Sequence, residues 1–568
     1  MIDENLRKVL NEPIGIAPEE QIRKTQKKGK WIPISFILIP IIVYFAMLSN
    51  SPLRRVLIAF EYPFQLDAEE GFLLNQAVLL ANKKPIYKPI DEIPYIVGNY
   101  GPIYPFLFSL MVKGKESRIE IGRFICFSAF VGILMAMFMI IIFKGKSVAP
   151  ALLAPLLFFA TYDTNDWLPF ARVDMVAIFF SVCGLMTLCI EDTPGARILS
   201  ILFFLAAIFT KPIQIAAPIS VGIFLLIKNK KSGLFWIKTL IFMIILTFAI
   251  LTIRTKGEFF KHTILYNANK FDLWQIKVGA IHLARFQKYL LISSIFIFLI
   301  ELLNAFTMYF RSEISEGDFK FSNYIHFSLK KIDLIYIYFF FAMLMFPSIA
   351  KIGSAPNYLL EIHIAVALVI CTKLGQVLRE IENGFWFKKV SLLPATVWLL
   401  IIVGLLIAHS KNLYDNRNIL YSSPNPTARD QINCSKVLDI VLEHSGPIFS
   451  EEPIFNILAG RRVEVQPFIM SQLAKEGKWN QTDLVRKFKQ GYFSLIIANM
   501  DLMNPDQIFL RYTDEMLKAI RTRYRPYKEF NTSARTHYYI YIPRRWDKED
   551  FHFNIVLNEK SKMVNNSG

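Results

Sequence analysis

Apolar residues do not recur along this chain in short periodic stripes; they gather into unbroken runs separated by short polar breaks. Runs such as Trp31–Ser49, Ile119–Phe143 and Val390–Ala408 approach the roughly 20 residues a helix needs to cross a bilayer. In order, the runs predict spans near 31–49, 119–143, 148–162, 173–190, 197–209, 211–227, 233–253, 289–310, 332–350, 359–373 and 390–409. The expected fold class is an α-helical polytopic membrane protein with about 11 transmembrane helices. The two runs meeting at Thr210-Lys211-Pro212 also read as one helix kinked at the proline, which would move the later loops to the other side.

Two stretches break the pattern. The first loop, 50–118, is long: Gly71–Lys83 reads as an amphipathic helix lying at the membrane interface, and Phe106–Met111 is an apolar run too short to span. After 410 the apolar runs shrink to strand length, at Pro447–Ser450, Phe493–Ala498 and His537–Ile542, with helical patterns at 432–444, 481–490 and 505–522. This alternation predicts an external α/β domain over 410–568, beside a cytoplasmic basic segment over 1–30 and a membrane domain over 31–409.

Composition agrees. Of 568 residues 54% are hydrophobic, and the net charge of +18 comes from basic residues crowding the breaks, as in Lys24–Lys30, Lys228–Lys231 and Lys388–Lys389. That distribution is the signature of cytoplasmic loops rather than of nucleic-acid binding. With a cytoplasmic amino terminus, an odd number of spans puts the carboxy-terminal domain outside. Four of the five cysteines lie inside apolar runs, so no disulfide framework is readable. The first 30 residues are polar and no small-residue cleavage pattern follows the first run, so the first helix reads as an uncleaved anchor.

Candidate chemistry collects at the outer ends of the spans. Gln65-Leu-Asp-Ala-Glu-Glu-Gly-Phe72 places Asp67, Glu69 and Glu70 just beyond the first span, either as a site or as the capped, acidic first turn of a helix. Arg172 and Asp174 enter a span at its rim, as an ion pair or as part of a site. Lys211 stands isolated between two apolar runs, where an ammonium needs an anion or snorkels to the interface. Further polar groups occur at His262, Tyr266, Asn267 and Asn269, and at Asn357, Tyr358, Glu361 and His363. None of these has spacing that specifies zinc.

Asp67-Ala-Glu-Glu70, Pro85-Ile-Tyr87, Asn99-Tyr-Gly-Pro-Ile-Tyr-Pro105, Arg172-Val-Asp174 and Thr210-Lys-Pro212 together resemble the GT-C superfamily. These are integral membrane glycosyltransferases that use polyprenyl-phosphate sugars, among them protein mannosyltransferase-like and aminoarabinose transferase-like enzymes. The resemblance implies that an acidic residue of the first external loop is the catalytic base or lies beside it, here Asp67 with Glu69 and Glu70 as neighbours. This chain carries Asp-Ala-Glu-Glu instead of a bare Asp-Glu pair, which leaves the choice between Asp67 and Glu69 open.

The chemistry suits these residues. Displacement at an anomeric carbon needs a carboxylate to take the acceptor proton and cations to hold the leaving phosphate. Asp67 is expected in the first role and Lys211 with Arg172 in the second, with Tyr100, Tyr104, Asp174 and the two polar groups above binding substrate. The expected partners are a polyprenyl-phosphate-linked sugar, an extracytoplasmic acceptor and the bilayer, at the plasma membrane. No nucleotide-binding loop is present, and whether a divalent metal ion takes part stays open. A polytopic transporter or flippase is the alternative, although the chain lacks two similar halves.

Overall fold

The computed structural model describes residues 34–112, 118–267, 270–313, 331–383, 389–390, 393–420, 424–506, 511–531 and 537–544. The bundle opens with α1 (Ser35–Glu61), followed in the first loop by α2 (Ala68–Ala81) and α3 (Ile103–Met111). Next come α4 (Ile119–Gly145), α5 (Val148–Phe159), the short α6 (Tyr162–Trp167) and α7 (Val173–Ile190). Then follow α8 (Pro194–Ile208), α9 (Ala216–Lys228) and α10 (Lys230–Arg254). The membrane part closes with α11 (Trp274–Phe286), α12 (Lys288–Glu313), α13 (Leu334–Leu344), α14 (Leu360–Glu382) and α15 (Ala395–Asp415).

Among the described residues seven helices are long and apolar enough to cross a membrane. Four shorter apolar helices, Val148–Phe159, Pro194–Ile208, Ala216–Lys228 and Leu334–Ala350, lie where four further spans were expected. The span beginning at Pro356 is 94% buried and that of α10 only 11%, so α14 is the central helix and α10 faces lipid.

The chain around Lys211 forms two antiparallel helices, not one kinked one. The Trp236 indole, near the start of α10, donates to the Arg197 carbonyl and Ser200 hydroxyl at the start of α8. Gly233, one turn earlier, lies against Leu225 and Leu226 at the end of α9. The start of α8 and the end of α9 therefore share one end of the bundle, and Lys211 sits at the opposite apex. Gly101 fixes that apex: a Cβ there would stand 1.8 Å from the Phe209 carbonyl oxygen, so only glycine lets the two segments approach.

Two sequence expectations change. The first helix does not stop near Ser49 but runs to Glu61, because Arg55 finds partners: its guanidinium donates to Asn425 Oδ1 at 3.2 Å and to the Asn165 carbonyl. The segment expected as an interfacial helix is packed inside the protein. Phe72, Leu73 and Leu74 of α2 are buried, since apolar residues surround that helix instead of forming one stripe. The exposed apolar face belongs to α11, where Trp274, Val278 and Ile281 follow one another at helical spacing.

Beyond the bundle lie α16 (Ala428–Glu443), β1 (Ile448–Ser450), α17 (Pro467–Lys475), α18 (Thr482–Gln490), β2 (Leu495–Ala498), α19 (Asp514–Arg523), β3 (Tyr524–Asn531) and β4 (His537–Pro543). The sheet order is β1-β2-β4-β3, with β1 and β2 parallel and the other pairs antiparallel. This unit is not separate from the first loop. Tyr95 bridges to Val465 in parallel, and Ile90, Tyr95 and Val97 enter the same apolar core as Phe449, Phe488 and Ile496.

Candidate active site

The three carboxylates of the acidic loop take three different places. Asp67 is the N-cap of α2: its side chain accepts from the Glu69 amide while Glu70 reaches back to the Asp67 amide, a reciprocal capping box. The expected helix cap is thus real, but Asp67 also accepts from Arg172 Nη1 at 2.8 Å. Glu70 is fully buried. It forms a two-pronged pair with Arg123, both contacts at 3.0 Å, and accepts from the Ala171 amide at 2.6 Å. Arg123 in turn donates to the Ala59, Tyr62 and Phe64 carbonyls. Glu70 therefore ties α2 to α4, and nothing leaves it open to a substrate.

Glu69 is the carboxylate that faces open space. It lines a cavity of about 380 Å³ together with Asn99, Tyr100, Arg172, Lys211 and Lys351. Burial pushes the Glu69 carboxyl above the usual range, and Arg172 offsets part of that.

Asp174 organises the opposite wall. Its carboxylate accepts from Lys211 Nζ at 2.6 Å, Asn357 Nδ2 at 2.7 Å and the Trp167 indole at 2.9 Å. Lys211 is therefore not an isolated ammonium: it is buried, paired with Asp174, and sits 4.2 Å above the Tyr358 ring. The expected Arg172–Asp174 pair is the looser contact at 3.8 Å, and Arg172 turns instead to Asp67 and, at 3.2 Å, to the Tyr100 hydroxyl. Arg172 Nε, Asn99 Oδ1 and Asn357 Oδ1 are buried without a hydrogen-bond partner. At least the first two belong to cavity-lining residues, as expected of a site whose ligand supplies the missing contacts.

Lys351 was not singled out in the sequence. It donates to Asn267 Oδ1 at 2.8 Å, and Asn267 also lines the cavity. Burial, reinforced by nearby Lys211, lowers the Lys351 ammonium to about 8. The signal available in the sequence was a lone lysine at the end of an apolar run beside Gly353, the same pattern that drew attention to Lys211.

Other candidates lie apart from the cavity. The His262 ring is buried, accepting from the Gly98 amide at Nδ1 and facing the Lys88 carbonyl at Nε2, so it clasps two loop segments as a neutral tautomer. Its burial holds its pKa below the usual value. Tyr266 packs against the core of the terminal unit, and Tyr104 is fully buried, its hydroxyl donating to the Gly122 carbonyl at 3.3 Å. Glu361 accepts from the Tyr338 hydroxyl at 3.3 Å, whereas His363 contacts Asp163 at 2.5 Å, so these neighbours in sequence belong to different clusters. Asn269 lies outside the described residues. Among the described residues no group of three or more His, Cys, Asp or Glu gathers as a metal site.

No protein-family model matches this chain, and no curated protein matches it. Solved structures do. ArnT from Cupriavidus metallidurans bound to undecaprenyl phosphate superposes with a TM-score of 0.50 at 11% identity, covering 87% of this chain and 97% of that one. The same protein in the apo state gives 0.51 at 10% identity with the same coverage. The Archaeoglobus fulgidus oligosaccharyltransferase in the apo form gives 0.45 at 10% identity, covering 88% of this chain and 74% of that one. The likeness to ArnT over nearly its whole length shows that the two chains share a polytopic membrane fold.

Proposed function

We propose that this protein is a membrane glycosyltransferase that moves a sugar from a polyprenyl-phosphate donor to an acceptor. The observation that carries the reading is the cavity whose wall holds one carboxylate, Glu69, and three cations, Arg172, Lys211 and Lys351. A displacement at an anomeric carbon asks for that set: a base for the acceptor proton, and positive charge where the leaving phosphate gathers its negative charge. The fold shared with ArnT, a structure that holds undecaprenyl phosphate, supports the lipid-phosphate class of donor.

Glu69 takes the role of base. Of the three carboxylates in the acidic loop it is the one that lines the cavity, where an acceptor hydroxyl could reach it. Asp67, the residue expected for this role, holds Arg172 and caps α2. In the reaction the acceptor hydroxyl attacks the anomeric carbon, its proton passes to Glu69, and the bond from that carbon to the phosphate oxygen breaks. The phosphate leaves against Lys211, Lys351 and Arg172.

We place the cavity and the terminal unit on the extracytoplasmic side. The Lys211 apex belongs to the cavity, and the basic break at Lys228–Lys231 lies at the far end of the hairpin it closes, which the positive-inside rule assigns to the cytoplasm.

The test is purified protein in detergent given a set of undecaprenyl-phosphate-linked hexoses and pentoses together with a cell-envelope extract as the source of acceptors, with release of undecaprenyl phosphate as the readout. Release with at least one donor is the expected result. A lipid or sugar transporter would leave every donor intact while moving it between leaflets of a proteoliposome, and that outcome overturns the reading.

A further inference from the structure

The helix α11 packs on the protein through one face, made by Gly279, Leu283 and Phe286. A Cβ at Gly279 would stand 2.9 Å from Ile349 Cδ1, and the Phe286 ring stacks on Tyr162 with 4.8 Å between centroids. Both ends of α11 are tied to the same end of the bundle. Near its start the Ser354 hydroxyl, just ahead of α14, donates to Gln275 Oε1 at 3.0 Å. Toward its end His282 pairs with Asp163 of α6 at 2.8 Å, and the Asn412 side chain in the last turn of α15 donates to the Arg285 carbonyl at 2.9 Å. The helix therefore lies across the cavity-side ends of the spanning helices instead of alongside them.

Its other face is apolar and open. Trp274, Val278 and Ile281 follow at helical spacing, and Phe271, Leu273 and Trp274 at its entry are 66%, 74% and 61% exposed. That face runs on into lipid-facing surface, because the span of α12 begins at Lys288 and exposes Ile292, Ile295 and Leu299. Charge points the same way. From Leu273 to Ile300 the chain has no Asp or Glu but carries Lys277, Arg285 and Lys288, with Lys270 just before. Lys277 Nζ sits 4.6 Å over the Trp274 ring and Lys288 Nζ 4.9 Å over the Tyr289 ring, an aromatic body with a cationic tip at each place. Side chains of that kind suit a headgroup layer, and their unopposed positive charge suits anionic headgroups.

We propose that α11 is an interfacial helix seated in the headgroup layer on the cavity side of the bilayer, held there by anionic phospholipid, and that this seat fixes the cavity wall bearing Lys351. The second half follows from the backbone. The Asp272 amide donates to the Ala350 carbonyl at 2.7 Å and the Ile352 amide to the Lys270 carbonyl at 2.9 Å, around an antiparallel bridge between Phe271 and Lys351. The segment that brings Phe271 to the lipid thus also holds Lys351, which lines the cavity and donates to Asn267. The glycosyltransferase reading supplies the purpose of Lys351; the membrane seat stands without it.

A spin label on Val278→Cys, in full-length protein in lipid nanodiscs, reads the seat, since the native cysteines are buried and leave the new thiol as the one labelled. In phosphatidylglycerol discs the label should collide with oxygen more often than with a water-soluble nickel chelate. Greater access to nickel means a face open to water, and little access to either means a face covered by protein; both outcomes overturn the proposal. Exchanging phosphatidylglycerol for phosphatidylcholine should raise nickel access by about 2-fold or more, and so should Lys270→Gln with Lys277→Gln in phosphatidylglycerol discs. Immersion indifferent to both changes would remove anionic lipid as the partner. Trp274→Ser with Val278→Ser, at exposed positions that spare the packed face, should speed hydrogen exchange of the Ile352 amide by about 10-fold. Unchanged exchange there would break the link to Lys351. Native protein that cleaves no lipid-linked sugar would sink the functional reading and leave all of these readouts standing.

Discussion

Two buried carboxylates, Asp163 and Asp174, sit one helical segment apart and look alike in sequence, yet the structure puts them to different uses. Asp163 is held between His282 at 2.8 Å and His363 at 2.5 Å. Burial pushes the Asp163 carboxyl up, and the bonds from the two histidines outweigh it, holding it down to about 2. Asp174 also collects strong donors, Lys211, Asn357 and Trp167. The difference lies beyond the first partners. Lys211 borders a cavity, and polar atoms on Arg172 and Asn357 beside Asp174 are buried without a hydrogen-bond partner, whereas Asp163 ties α6 to α11 and α14 and is not among the residues lining that cavity. A charged cluster in a membrane protein is thus no sign of a site by itself; unsatisfied polar atoms around open space are the better guide.

The sharpest way to break this comparison is at the carboxylate that faces the cavity. Glu69→Gln should lower turnover on the order of 10²-fold or more while polyprenyl-phosphate binding persists, because the amide keeps the shape but takes no proton. Asp67→Asn should cost roughly 10-fold, through a loosened Arg172 and a weaker helix cap. Single-turnover rates for both variants decide between them: a larger loss in Asp67→Asn would return the base to Asp67.

Next in size is the Asp174 pair itself. Asp174→Asn strands a buried ammonium and should lower stability by about 3–5 kcal/mol. Adding Lys211→Met should restore most of that stability but leave binding of undecaprenyl phosphate about 10-fold or more weaker, since the site has lost a cation. Asp163→Asn should also destabilise the protein, with unchanged affinity in the molecules that remain folded. Thermal melts and binding titrations on the three variants separate scaffold from site. Equal effects of Asp163→Asn and Asp174→Asn on affinity would erase the distinction.

The smallest effect is a shift in pH dependence. Lys351 is charged below about 8 and loses its proton as pH rises through that value, so donor capture should fall on the alkaline side. Lys351→Arg stays charged throughout and should move the alkaline limb of kcat/KM upward by at least about one pH unit. An unmoved limb would assign it to another group.

The membrane part was legible because lipid leaves the backbone no alternative: helices must satisfy their own hydrogen bonds, and their side chains must be apolar over a known length. Edges were less legible. Arg54 and Arg55 read as a loop, but Arg55 finds a buried partner set that sequence cannot display. In the terminal unit the three buried strands appeared as apolar runs, while β3, exposed along most of its length and carrying Pro526, gave no such signal. The site was half legible. Asp67, Glu69, Arg172 and Lys211 stood out as charges at the rims of apolar runs. That Glu69 rather than Glu70 faces the cavity depends on Arg123, which lies inside a span and pairs with Glu70 across the fold. Phe468 and Ile469 were invisible for another reason: they are ordinary apolar residues that join the cavity wall only through the docking of 464–466 on Tyr95.

That docking also sets an order of events during synthesis. A ribosome that has delivered every membrane helix has already made Glu69, Arg172, Lys211 and Lys351, yet the wall of Phe468 and Ile469 does not exist until the chain beyond the last of those helices has been made and has paired with Tyr95. A nascent chain stalled before that point holds its charges in an unwalled groove, so the cavity is closed only after the last membrane helix has been made.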